Sequence, residues 1–462
     1  MGMAYPRSAG SIAFVTPHPG SVRFGHDEYM RSPLPDYLTE VLRGCADSSG
    51  ALADYIPELA RADPDRFALT LVTAEGAVYS VGDDHTEFTI QSISKPFVYG
   101  LALQQRGFDA VLDVIDVEPS GEAFNEVSLE RNTGRPLNPM INAGALAAHA
   151  LVLDGRQPEA SVEDIRSLLS SLAGRELTID EKVASSELEN SYRNVAIANL
   201  LRGYEVFEDD PDEIVEGYIR QCSVTVTTKD LAMMAATLAA GGVQPVTCEE
   251  IFSRDVVRQV LSVMATCGMY DAAGDWLSTV GIPAKSGVSG GIIGILPGQL
   301  GIAAYSPRLD DHGTSVQGVA AFGRLSRDMN LHLMDAPMVA HSVLRRRHVI
   351  GEGDESLTLL ELQGDLQFTS SEGLVTAVVD EPVETKRLVF DLSLVRTILP
   401  VGRRMLLEMI GRLHRDGVEV VVIDPEGHLP EPDTGYGFRP QVHTSWETWR
   451  RRGERAFGTK VT

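Results

Sequence analysis

Apolar positions recur along this chain with two different periods, and the switches between them divide it into regions. From Asp36 the spacing is helical, with Leu38, Val41 and Leu42 on one face. Phe67–Val72 and Val78–Val81 read as strands around Glu75-Gly76, which predicts a hairpin. From Ser92 to about Cys267 the pattern is mostly helical, with alanine-rich pieces at Ala143–Leu153, Val195–Leu201 and Leu231–Ala240. Strand character returns at Gly291–Leu296 and Gly301–Tyr305, flanking Pro297-Gly298, and an amphipathic helix follows over roughly Val316–Leu333. Strands from both ends and helices from the middle predict an α+β domain: one antiparallel sheet against a helical cluster.

Beyond it the alternation shortens. Leu357–Phe368 reads as a strand, with a bend or break at Gly364, and Ser370–Val379 as a helix. Arg387–Leu392 is then a strand, Val401–Arg415 a helix and Val418–Ile423 a strand, a small βαβαβ unit. The expected division is a flexible tail over 1–30, a large domain over 31–340, a charged linker over 341–355, a small α/β domain over 356–445 and a basic tail over 446–462.

Composition narrows the function. A net charge of −25 opposes a nucleic-acid partner, because phosphate contacts need a basic face. The four cysteines, Cys45, Cys222, Cys248 and Cys267, match no zinc or thioredoxin spacing and suit a reducing compartment. The start has no apolar run of signal-sequence type, and no stretch approaches the ~20 residues of a membrane span. A cytoplasmic protein without a membrane partner is expected. The eleven histidines form no H-x-x-x-H pair with a carboxylate, so no metal or other cofactor is expected.

The string Phe88-Thr89-Ile90-Gln91-Ser92-Ile93-Ser94-Lys95-Pro96-Phe97 contains S-x-x-K. Pro96 favours a first helical turn, which puts Ser92 and Lys95 on one face. A serine hydroxyl needs a base nearby, and lysine serves only when neutral; burial and a helix N-terminus both push it that way. A second piece, Ala284-Lys285-Ser286-Gly287-Val288, precedes the late hairpin. S-x-x-K followed by K-[ST]-G is the pattern of serine acyl-transfer enzymes of the penicillin-recognising type. The amides of Ser92 and Val288 then form an oxyanion hole. Lys285 is given an electrostatic or structural part.

Longer strings carry a more specific likeness. Ala53-Asp54-Tyr55-Ile56-Pro57, Gln91–Phe97, Asn138–Ala145, Ser186–Glu189, Arg193-Asn194, Met264–Tyr270 and Pro283–Val288 together resemble the serine-dependent glutaminases, over roughly residues 30 to 335. The resemblance implies a β-lactamase/transpeptidase-like fold and hydrolysis of L-glutamine to L-glutamate and ammonia. It implies that Ser92 attacks the side-chain amide and that Lys95 takes its proton. Tyr270 then helps pass a proton to departing ammonia. Asn142, Glu187, Asn194 and Tyr218 would grip the amino-acid end, with Tyr55 on a lid-like loop. Glu187 suits the ammonium, and Asn142 and Asn194 offer amides to the carboxylate. Their spacing places Glu187 and Asn194 two turns apart on one helix, with Ser186 in its N-cap region. A homo-oligomer is the family's common state.

Residues 355 to 445 resemble STAS domains, through Leu360–Leu366, Leu388–Ser393 and Gly411–Val421. The turn that often carries a phosphorylatable serine is here Ile398-Leu399-Pro400-Val401-Gly402, without a hydroxyl. A regulatory unit that binds a protein partner, a sibling chain or a small ligand is expected rather than a phosphoswitch. Two rival readings are a β-lactam-type hydrolase and a non-catalytic glutamine sensor. The missing S-D-N element and export signal oppose the first, and the intact Ser92–Lys95 pair opposes the second.

Overall fold

The computed structural model describes residues 34–47, 49–121, 126–153, 155–335, 343–353, 356–366, 368–435 and 437–449. The expected tail over 1–30 lies outside them, as does the basic tail from 450 onward. The chain forms two compact units, Met1–Asp335 and Ala336–Thr462.

In the first unit the strands are β1 (Ala68–Thr73), β2 (Val78–Gly82), β3 (Phe88–Thr89), β4 (Thr225–Val226), β5 (Ala284–Ser286), β6 (Gly291–Leu296) and β7 (Leu300–Tyr305). Five of them form an antiparallel sheet in the order β2-β1-β7-β6-β5. Early and late chain segments therefore meet at the β1–β7 pair, where Leu69 faces Ala304 and Leu71 faces Ile302.

The helices that matter to the site are α1 (Leu34–Gly44), α2 (Lys95–Arg106), α3 (Asn142–Leu153), α4 (Glu181–Glu189), α5 (Tyr192–Gly203), α6 (Pro211–Cys222), α7 (Thr228–Ala239), α8 (Arg254–Cys267) and α9 (Val316–Met329). Successive strand residues point to opposite faces, and both faces are buried. Ala68, Val72, Ile293, Ile295 and Ala303 join the core of α2, α3, α7 and α8. Leu69, Leu71, Ile292, Ile302 and Ala304 join that of α1, α9 and Trp276. This explains why β6 and β7 read as continuous apolar runs rather than alternating ones. The last helix ends at Met329, short of the expected Leu333, because Asn330 turns left-handed with φ 54° and closes it.

The second unit holds β8 (Leu344–Ile350), β9 (Leu357–Leu366), α10 (Phe368–Asp380), β10 (Arg387–Ile398), α11 (Pro400–Arg415), β11 (Glu419–Ile423) and β12 (Gln441–His443). Its sheet order is β12-β11-β10-β9-β8, parallel except for β8. Leu344–Ile350, expected as part of the linker, is an antiparallel edge strand instead. Three arginines in a row hide it: edge positions tolerate charge that a central strand does not. Gly364 does not end its strand; β9 runs on to Leu366 with shifts in register against β10. Trp446 and Trp449 pack on Leu357, Leu359, Val389, Val421 and Ile423, so residues 446–449 cover a sheet face instead of starting a solvated tail. Among the described residues no helix is long and apolar enough to cross a membrane.

Candidate active site

Ser92 sits in a single 3-10 turn, Gln91–Ser94, from which α2 departs at Lys95 with Pro96 in its first turn. The turn is entered through Gln91, whose φ is +51°, a left-handed value unusual for a non-glycine residue. The Ile90 amide donates to the Val224 carbonyl at 2.8 Å, so the short β3–β4 pair ties this entry to the end of α6. Against it lies the turn after β5. A Cβ on Gly287 would stand 3.1 Å from the Ile90 carbonyl oxygen, an approach that the bare glycine permits. Val288, half-buried, follows directly.

Lys95 is 1% exposed. Its Nζ donates to Asn142 Oδ1 at 2.7 Å and to the Met140 carbonyl at 3.1 Å. Burial pushes its pKa down to about 7, so a large fraction is neutral near physiological pH. Lys285 is buried as well, donates to the Ser286 carbonyl at 2.7 Å, and is pushed well below the usual lysine range by burial first and by Lys95 second. The Tyr270 ring lies beside both ammonium positions, with its centroid 3.8 Å from Lys285 Nζ and 5.4 Å from Lys95 Nζ. Tyr270 is itself left-handed, with φ 55°, at the start of a turn just after α8. Burial raises its hydroxyl above the ordinary tyrosine range, and an interaction with the Ser92 side chain partly offsets this.

The remaining groups join the same network. Glu187 Oε1 accepts from Gln91 Nε2 at 2.7 Å and from the Tyr55 hydroxyl at 3.1 Å. Burial raises the Glu187 pKa, and the two hydrogen bonds pull it back. Tyr55 is half-exposed as a residue, yet its hydroxyl reaches inward to this carboxylate. Asn142 Nδ2 donates to Asn194 Oδ1 at 2.9 Å, and the buried Tyr218 hydroxyl lies 3.5 Å from Asn142 Oδ1. Ser92, Lys95, Tyr270, Tyr55, Asn142, Glu187, Asn194, Tyr218 and Val288 thus gather around one turn. A cavity of about 830 Å³, lined by Leu238, Arg254, Val257, Leu261 and Pro297 among others, includes none of them.

One expectation about their placement is corrected. Glu187 and Asn194 do not share a helix: Glu187 lies in the last turn of α4 and Asn194 in the first turn of α5. The break comes at Asn190 and Ser191, where the Ser191 hydroxyl bonds back to the Leu188 carbonyl at 2.8 Å. Asp180, not Ser186, caps α4, accepting from the amides of Lys182 and Val183. Gln91 escaped the sequence reading. It stands in the S-x-x-K string, but its contact with Glu187 depends on a backbone conformation that no pattern announces.

The family model for glutaminase matches residues 50–334. The glutaminase of Corynebacterium glutamicum is 52% identical over 405 residues, which cover 87% of this chain and 97% of the relative. That of Corynebacterium efficiens is 49% identical over 419 residues, covering 89% and 97%. A crystal structure of Mglu in its tris and glutamate form superposes with a TM-score of 0.77 at 43% identity, over 87% of this chain and all of that one. With about half of its residues shared along nearly the full length of those enzymes, the chain belongs to the glutaminase family and hydrolyses L-glutamine to L-glutamate and ammonia.

Proposed function

We propose that this hydrolysis proceeds through an acyl-enzyme on Ser92, with Lys95 as general base. The observation that carries the reading is the burial of Lys95 three residues past Ser92, in a turn entered at a positive φ, where burial pushes the lysine toward its neutral form. Neutral Lys95 takes the Ser92 proton, and Oγ forms a bond to the side-chain carbonyl carbon of glutamine. The amides of Ser92 and Val288 hold the oxyanion. As it collapses, the carbon–nitrogen bond breaks and the proton passes to ammonia through Tyr270, which lies against both Ser92 and Lys95. Water then adds to the γ-glutamyl ester with the same base, and glutamate leaves.

Glu187 receives the substrate ammonium, Asn142, Asn194 and Tyr218 its carboxylate end, and Tyr55 closes over it. A pocket matched to both charges leaves buried polar groups unpaired with analogues that lack them, which is a source of selectivity. The carboxylate of Glu187 is already ringed by donors from Gln91 and Tyr55, which favours a role as a fixed anion. The test is steady-state ammonia release by Ser92→Ala: a loss of ~10²-fold or more supports the assignment, and an unchanged rate refutes it.

The second unit is read as a STAS-like regulatory domain. Its support is a parallel β9-β10-β11 core whose connections carry α10 and α11. A cytoplasmic homo-oligomer is proposed with it, the C-terminal unit binding a protein partner, a sibling chain or a small ligand. Light scattering of the full chain tests the oligomer: a monomer mass at micromolar concentration would contradict it.

A further inference from the structure

Behind the nucleophile turn runs a set of buried polar side chains that the mechanism above leaves unused. His149 on α3, Gln221 on α6 and Ser94 in the turn are each at most 1% exposed. Gln221 Nε2 donates to Ser94 Oγ at 3.0 Å, and Ser94 Oγ donates to the Gln91 carbonyl at 2.8 Å. With the amide nitrogen committed, Gln221 Oε1 is the acceptor that faces His149 Nδ1 at 3.1 Å, so the imidazole carries its proton on Nδ1. Burial lowers the His149 pKa to about 4, consistent with a neutral ring that donates from one nitrogen. The ring fits because position 217 is glycine: a Cβ there would stand 2.2 Å from His149 Nε2.

All three donors point the same way, and the row ends on the Gln91 carbonyl. That oxygen and the Ser92 N–H belong to one planar peptide unit, so holding the first fixes the direction of the second. We propose that His149, Gln221 and Ser94 are positioning residues that orient and polarise the Gln91–Ser92 peptide, aiming its N–H at the developing oxyanion. The inference rests on the assignment of the Ser92 amide to the oxyanion hole. Two observations converge on it. The peptide follows a residue held at φ +51°, a conformation that persists only when its surroundings over-determine it. The hydrogen bonds are aligned head to tail, and such chains polarise one another.

An oxyanion donor acts when charge develops, so weakening it lowers kcat and leaves ground-state binding alone. The experiment compares Ser94→Ala, Gln221→Met and the double variant in the full-length chain, by steady-state ammonia release and by calorimetric binding of L-glutamate. Ser92→Ala runs beside them. The expected result is a fall in kcat of about tenfold in each single variant, with KM and glutamate affinity within about twofold. The double variant should be no slower than Ser94→Ala, because both changes act through one carbonyl. Ser94→Thr, which restores the hydroxyl, should recover turnover. Unchanged kcat in the single variants, losses that multiply in the double variant, or a drop in glutamate affinity equal to the drop in kcat would each overturn the relay. If Ser92→Ala abolishes turnover while Ser94→Ala and Gln221→Met leave kcat intact, the relay alone is wrong. If Ser92→Ala keeps its turnover, the acyl-enzyme reading is what has failed.

Discussion

Lys95 shows at the level of one residue how burial lowers the pKa of an ordinary cation, as the proposed general base requires. Its pKa falls from 10.5 to about 7 because burial strips water from the ammonium. The activity of a Lys95 base should therefore rise as pH passes upward through about 7 and then level off. A kcat/KM profile from pH 5.5 to 9 checks this, and a flat profile with chemistry rate-limiting contradicts it. The same shift has a cost in stability. Because the folded pKa lies below the unfolded one, the unfolded chain holds more protons between about 7 and 10.5, and stability contributed by this group rises with pH across that window. Lys95→Met should thus lose turnover and melt at a higher temperature than the wild type at pH 7; an unchanged or lower Tm would argue against the burial penalty.

Glu187 is the proposed counterpart on the binding side. Glu187→Gln keeps its shape but removes the charge proposed to meet the substrate ammonium. KM should rise by about tenfold or more, in line with ~1.5–3 kcal/mol for a hydrogen bond to a charged group. Titration of the variant with glutamine tests this, and a KM like that of the wild type would move the ammonium site elsewhere. The nearness of Ser92 and Lys95 was legible in the S-x-x-K string, and the other candidate positions came through the family resemblance of longer strings such as Asn138–Ala145. The contacts of Gln91, Ser94 and Gln221 were not legible. They arise from a left-handed turn and from helices far apart in sequence, and neither leaves a periodic trace.

At the scale of elements, the sheet hairpins read well because Gly76 and Pro297-Gly298 mark their turns and β-rich runs flank them. The helix break between α4 and α5 was missed: two residues of non-helical backbone leave the apolar period almost undisturbed. The edge strand β8 was missed for the opposite reason, since its run of charged residues masks a strand paired with β9 and held further by the bonds of Arg347 to the Glu381 and Pro382 carbonyls. These breaks matter, for α4 and α5 carry Glu187 and Asn194, which are proposed to hold opposite ends of the substrate. Asp180 anchors α4 by accepting two backbone amides. Asp180→Ala should lower unfolding free energy by ~1 kcal/mol. Denaturant titration measures it, and no change in midpoint would mean that the cap contributes nothing.

For the whole molecule, each unit has its own core. The clusters around the active site draw on residues up to Leu331, and those of the second unit on residues from Val343 onward. A chain ending at Asp335 should accordingly fold and hydrolyse glutamine. Thermal melting and ammonia release check it, and an insoluble or inactive product would show that the units depend on each other. The similarity to the Corynebacterium glutaminases runs well past the family match at 334, so the second unit is shared with those relatives rather than peculiar to this chain. The small unit was legible as alternating strands and helices, whereas its full sheet was not: β12 is only three residues long, too short for any period to register.

The proposed hydrolysis turns on covalent chemistry at one oxygen, Ser92 Oγ. Acid quenching of the enzyme during glutamine turnover, followed by peptide mapping in the mass spectrometer, looks for it directly. The prediction is a γ-glutamyl adduct on the peptide that contains Ser92, absent from Ser92→Ala. An adduct on any other side chain, or none under conditions where deacylation limits the rate, would contradict it.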